Sequence, residues 1–187
     1  MSLKELTWEH HKNAERQEYV KVMFSGKINP ELYATYLYNQ HAAYDLLEAM
    51  AMAHGLFDTI PEVRRAPNIL KDFDELWDKQ ERPAKCKATF EYIDYLKTIM
   101  HDPKKLMAHV YVRHMGDLSG GQMIAKRIPG SGNFYMFDAD VEDLKNRIRE
   151  LLDDSMADEA KVCFDFATKL FKNLSEIEIE PYLEQVD

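Results

Sequence analysis

The chain is predicted to fold as an all-α, single-domain protein, on three observations. Apolar residues recur at helical spacing through most of its 187 residues. Strand-like alternation bounded by turn signals is not evident. Helix-start signals open one segment after another. With 45% hydrophobic content at this length, the chain can bury one sizeable core and is short for two.

In chain order, Ser2 followed by Glu5 fits a capping box opening a first helix. Asn29-Pro30 supplies a cap and a first-turn proline for a long helix running to about His54. Asp102-Pro103 opens a third in the same way, leading into "YVRHMGDLSGGQMIAKRI" (111–128). A further start lies near Asp140, in "DADVEDLKNRIRELLDD", and the last strong pattern is "ADEAKVCFDFATKLFKNLSEI". Breaks are predicted at Ser25-Gly26, from Gly55 to Pro61, at Pro67, at Pro83 and at "PGSGN" (129–133). None is a linker, so one domain is expected over 1–179, with a frayed tail over 180–187.

The net charge of −9 argues against nucleic acid or an anionic membrane surface as the main partner. No apolar run approaches the ~18 residues a membrane helix needs, so a soluble protein is expected. Cys86 and Cys163 lie far apart without metal-like spacing, which suits a reducing compartment and core or surface thiols.

The 33 acidic residues and 7 histidines raise the question of a di-iron carboxylate bundle, but the Glu-x-x-His pair such a site needs does not occur. His-Glu-x-x-His, a Walker loop, Gly-x-Gly-x-x-Gly and Gly-x-Ser-x-Gly are absent too. Redox or transfer chemistry here must borrow its reactive group.

Gly116, Gly120 and Gly121 interrupt a segment that otherwise reads as helix. Each costs roughly 1 kcal/mol relative to alanine. Gly116 and Gly120 share one helix face, where the missing Cβ atoms admit either a planar ligand or a closely packed second helix.

"GDLSGGQ" within "YVRHMGDLSGGQMIAK" resembles the distal-helix signature of the haem oxygenases, and "LKELTWEHHKNAE" (3–15) resembles the proximal segment of the same family. Their order and separation agree with the family over essentially the whole chain. The resemblance implies a helical bundle that holds haem between a proximal N-terminal helix and a glycine-kinked distal helix. It also implies oxidative opening of haem at a meso carbon, expected to be α, giving biliverdin, CO and ferrous iron. Haem b would be substrate and cofactor together, with O2 and electrons from an external reductant.

Residue by residue, the resemblance makes His11 the iron ligand, ahead of the adjacent His10, with Glu15 as partner of its other ring nitrogen. Gly116 and Gly120 would line the distal face, Asp117 would act through ordered water, and Tyr44 would steady that water. Lys4, Tyr111, Lys145 and Arg149 would serve the propionates, and Phe164 and Phe171 match aromatics near the pocket. This chain departs from the pattern at Trp8, where relatives often have lysine, at His114, where they often have an aromatic, and at Ala167, which replaces a polar residue.

The implied partners are reduced ferredoxin, received by basic residues such as Lys145, Arg147 and Arg149, and a bilin reductase downstream. Without the hydrophobic anchor of the animal enzymes, the chain resembles the soluble bacterial, phage or plastid kind, in cytoplasm or plastid stroma. Two rivals stand beside this reading: a non-catalytic haem carrier or sensor, which needs His11 but not Asp117, and a haem-free helical protein on the same scaffold.

Overall fold

In a computed structural model that describes residues 1–177, all regular structure is helical. The elements are α1 (Leu3–Leu6), α2 (Trp8–Glu15), α3 (Glu18–Phe24), α4 (Pro30–Ala53), α5 (Ala66–Leu76), α6 (Lys87–Thr98), α7 (Pro103–Leu118), α8 (Gly120–Ile124), α9 (Val141–Arg149) and α10 (Ala157–Ser175). Short 3₁₀ turns lie at Pro61–Val63, Asn133–Tyr135 and Asp154–Met156. The expected boundary at residue 179 and the tail over 180–187 fall outside the described residues.

The expected starts are made by the expected side chains. Ser2 Oγ accepts the Glu5 amide at 3.3 Å while Glu5 accepts the Ser2 amide at 2.8 Å, completing the capping box. Asn29 accepts from Glu31 (2.8 Å), Asp102 from Lys105 (3.1 Å) and Asp140 from Asp143 (2.9 Å), each satisfying a first-turn donor.

Three boundaries differ from the sequence expectation. Pro67 is no break: it sits in the first turn of α5, where a missing N–H has no intrahelical partner to lose. The N-terminal segment divides at Thr7, whose hydroxyl donates back to the Leu3 carbonyl at 2.9 Å. The glycine-bearing segment is two helices separated at Ser119, and the second ends at Ile124.

The long α4 packs against α5, α6 and α7, while α10 packs against α2, α3, α6 and α7. One side of the core is aliphatic, around Leu47, Leu96, Leu106, Val110 and Ala160; the other is aromatic, around Tyr19, Tyr33, Tyr36, Phe73 and Phe134. Cys86 and Cys163 are free thiols, both buried.

A polar clamp holds the chain after α8. The buried Arg65 guanidinium donates to the carbonyls of Glu62 (2.9 Å), Arg64 (2.7 Å) and Phe134 (3.1 Å) and to that of Met136, and it stacks over Phe137. Asp72 accepts the amides of Asn133 (2.9 Å) and Phe134 (2.7 Å). These bonds satisfy buried backbone groups of a segment that makes only one short turn of its own, and so fix Phe134 and Tyr135 against the bundle.

Candidate active site

The three glycines prove to have different surroundings. A Cβ built on Gly121 would lie 2.7 and 2.8 Å from two ring carbons of Tyr135, so that residue is small because an aromatic ring is packed on it. A Cβ on Gly116 or Gly120 would meet nothing within 4 Å. Close packing therefore accounts for Gly121 and not for the other two, whose bare backbone faces open space. Ser119, with φ −111° and ψ −96°, carries the break between α7 and α8, and its amide reaches only as far as the Gly116 carbonyl, at 3.2 Å. Gln122 bridges the break, donating to the carbonyls of Asp117 (3.2 Å) and Tyr135 (2.9 Å).

Asp117, adjacent in sequence to the exposed Gly116, is buried. The Tyr44 hydroxyl reaches both carboxyl oxygens, at 3.1 and 2.9 Å. Burial pushes the Asp117 carboxyl up, the charge of His114, the Tyr44 hydrogen bond and the charges of Arg65 and Arg113 oppose it, and the net result is about 7. The group can therefore hold or release a proton near neutrality.

His114 is fully buried beside Tyr44, with ring centroids 5.2 Å apart. Its Nε2 lies 2.9 Å from Glu48 Oε2 and its Nδ1 3.0 Å from the Val110 carbonyl. Glu48, also fully buried, accepts the backbone amides of Arg65 (2.7 Å) and Ala66 (3.1 Å) at the start of α5. Burial would raise the Glu48 carboxyl, but the bond to His114, its charge and those two amides outweigh it and hold the group below its ordinary value. Arg113 points away from this pair, donating to the Tyr92 hydroxyl (3.1 Å) and to Gln40 (3.2 Å).

On α2, His11 Nε2 pairs with Glu15 Oε1 at 2.7 Å, and Lys12 holds the other Glu15 oxygen at 3.2 Å. Phe164 of α10 stacks on the His11 ring at 5.4 Å, and Trp8 meets it edge-on at 5.6 Å. Only one imidazole nitrogen is used by the carboxylate, so the other remains available to a metal. The competing His10 instead bonds Asp165 at 2.9 Å, tying α2 to α10.

The residues expected to serve the propionates have mainly local partners. Burial raises the Tyr111 phenol, opposed by Thr7 and by the charge of Arg149. Arg149 donates to Asn146 (2.7 Å), Lys145 pairs with Glu142 (3.1 Å), and Lys4 is exposed. Arg147 is held by Asp143 and by Glu62, the latter at 3.4 Å. Phe171 lies apart from His11, stacked against Tyr19 and Tyr36 at 6.0 and 6.4 Å.

Sequence reasoning did not find Glu48, Arg65, Arg113, Gln122 or Tyr135. Glu48 alone left a usable signal: an acid four residues after Tyr44, on the same face of an otherwise apolar stretch.

The family model "Heme oxygenase" matches residues 1–173. The chain is 31% identical over 206 aligned residues to heme oxygenase 2 of Rattus norvegicus, covering 93% of this chain and 64% of that protein. It is 30% identical to the heme oxygenase of Guillardia theta, covering 93% and 85%. Among solved structures, it superposes on heme oxygenase-1 of the cyanobacterium Synechocystis in complex with heme with a TM-score of 0.82 at 25% identity, covering 92% and 90%. The chain thus spans a little under two thirds of the mammalian relative. The fold defines a single helical bundle of the kind those structures share, and the chain belongs to the haem oxygenase family. Among the described residues, no helix is long and apolar enough to cross a membrane.

Two outcomes follow for the ligand-free protein. Gly121→Ala should lose about 1–3 kcal/mol through overpacking against Tyr135, whereas Gly116→Ala should gain up to ~1 kcal/mol from helix propensity. Thermal unfolding separates them, and equal losses would mean that Gly116 is packed. Asp117 retains its proton in the folded state up to about 7, against an ordinary value of 3.8, so its contribution is fully present below the lower value and is lost as pH rises through the upper. The stability of Asp117→Asn relative to wild type should accordingly grow by up to about 4 kcal/mol between those values and level off above them. A flat difference in urea titrations across that range would mean that Asp117 ionises as it does in water.

Proposed function

We propose that the protein binds haem and opens it at one meso carbon to biliverdin, CO and ferrous iron. The observation that carries this reading is the pairing of two glycines open to space, Gly116 and Gly120, with a buried proton-holding carboxyl, Asp117, on the same kinked segment. Bare backbone suits the flat face of a porphyrin. A carrier or sensor needs that access but has no use for a buried acid poised near neutrality.

Haem, when bound, supplies the iron at which O2 is reduced and the meso carbon that is oxidised. The chain's own residues have separate tasks. His11 would hold the iron through one nitrogen while Glu15 orients the ring and increases its basicity. Phe164 and Trp8 restrict how that ring can turn. Tyr111, Arg149, Lys4 and Lys145 would receive the propionates. The bare backbone at Gly116 and Gly120 would let a flat ring approach closely and would restrict how it can sit. Asp117, oriented by Tyr44, would hold a proton and pass it through water, so that the acid serves the reaction without touching the iron.

Electrons would come from outside these residues, in which no nucleotide or flavin motif occurs. Reduced ferredoxin is the donor this reading takes, and a bilin reductase the consumer of the product. On α9 the basic side chains already have acidic or amide neighbours, so docking would exchange those pairs for acids of the donor.

Spectra recorded with hemin before and after a reductant is supplied test the reading. A Soret band followed by ring-opened pigment is expected; a stable Soret band would select a carrier. His11→Ala should retain the fold yet lose histidine ligation, with rescue by added imidazole, and an unchanged iron–histidine vibration would make His10 or another residue the ligand. Asp117→Ala should bind haem nearly as well as wild type but form biliverdin some 10²–10⁴-fold more slowly. Turnover at the wild-type rate would remove Asp117 from the proton path.

A further inference from the structure

We infer that Glu48 and His114 form a buried ion pair whose cation sets the ionisation of Asp117, making His114 a positioning residue for the proton path. This deepens the function proposed above and rests on it for its catalytic meaning, although the electrostatic linkage itself is a property of the chain alone.

The argument begins with donors and acceptors. The Val110 carbonyl can only accept, so His114 Nδ1, at 3.0 Å, carries a proton. Nε2, at 2.9 Å from Glu48, faces a carboxylate that already accepts two backbone amides and is thereby favoured in its ionised form. Both ring nitrogens therefore face acceptors, and the ring is an imidazolium. Neither partner has solvent to fall back on, since both side chains are almost completely buried. Arg64 adds a second cation at 3.7 Å from Glu48.

The geometry then joins this pair to the site. His114 and Asp117 are three residues apart on α7 and share a face. Tyr44 stands between them, its ring 5.2 Å from the imidazolium and its hydroxyl 2.9 Å from the carboxyl, while Phe57 closes the far side of His114 at 5.5 Å. The groups around Asp117 are Tyr44, Tyr36 and Tyr33 from α4, Arg113 and His114 from α7, Arg65 before α5, and Tyr135 after α8. The phenols are neutral across the working range. Arg65 and Arg113 are permanent cations committed to backbone carbonyls, Tyr92 and Gln40. Only His114 can exist with or without its charge, and Glu48 fixes which. Among the influences that pull Asp117 downward, the charge of His114 is the largest.

The test is titration of the Asp117 carboxyl carbon by NMR in the ligand-free protein, comparing wild type with Glu48→Gln and with the double variant Glu48→Gln/His114→Phe. The double variant removes both members of the pair, so that neither is left buried and charged without the other. Its Asp117 midpoint should rise by about one pH unit or more, and Glu48→Gln alone should move it in the same direction. The pH profile of haem opening should shift upward with it. An unchanged midpoint in the folded double variant would overturn the proposal and leave the pair purely structural. Nitrogen NMR of His114 in the wild type provides a check that needs no variant: two protonated nitrogens at neutral pH are expected, and a neutral ring would equally overturn the proposal. Wild type that fails to open haem while showing these titrations would refute the proposed function and not this linkage.

Discussion

Gly121 and the ring of Tyr135 stand so close that a single methyl group would not fit between them, and the rest of the distal side depends on that contact. Tyr135 cannot retreat, because Arg65 and Asp72 hold the chain around it by its backbone groups. The segment after α7 must therefore turn at Ser119 to bring Gly121 onto the ring. Gly116 and Gly120 are left flanking the turn with nothing above them. Their helix-propensity loss is not offset by any packing around them.

Beneath that surface the protein keeps two carboxyls in opposite states. Asp117 is drawn up by burial because a phenol is its principal hydrogen-bond partner and its cations act at a distance. Glu48 is held down because an imidazole and two amides contact it directly. Chemically similar side chains thus take different roles through environment alone: one can exchange a proton and the other stays charged. A buried ion pair such as Glu48 and His114 contributes little net stability relative to apolar packing. Its value here lies in the field it produces at a neighbouring acid.

The proximal side is built more cheaply, within one helix. His11 and Glu15 are a turn apart, so the carboxylate reaches the ring whenever α2 forms. What α2 cannot supply is a wall, and α10 provides it through Phe164, with the His10–Asp165 bond tying the two helices together. His10 thus serves to hold in place the helix that carries His11.

The sequence by itself determined the features that act over a single turn. Caps at Ser2, Asn29, Asp102 and Asp140, the glycine-rich interruption, and the pairing of His11 with Glu15 are all set by residues within four positions of one another. Proline was misread at position 67 because the same residue that ends a helix can also begin one, and only the neighbouring turns distinguish the cases. Which glycine was for packing and which for access was not legible, since the deciding ring lies fourteen residues from Gly121 in the chain and across the break in space. The same holds for the charges at the site. Glu48 meets His114 across 66 residues and Tyr44 meets Asp117 across 73, and whether such groups are ionised depends on exclusion of water, which exists only once the helices have packed.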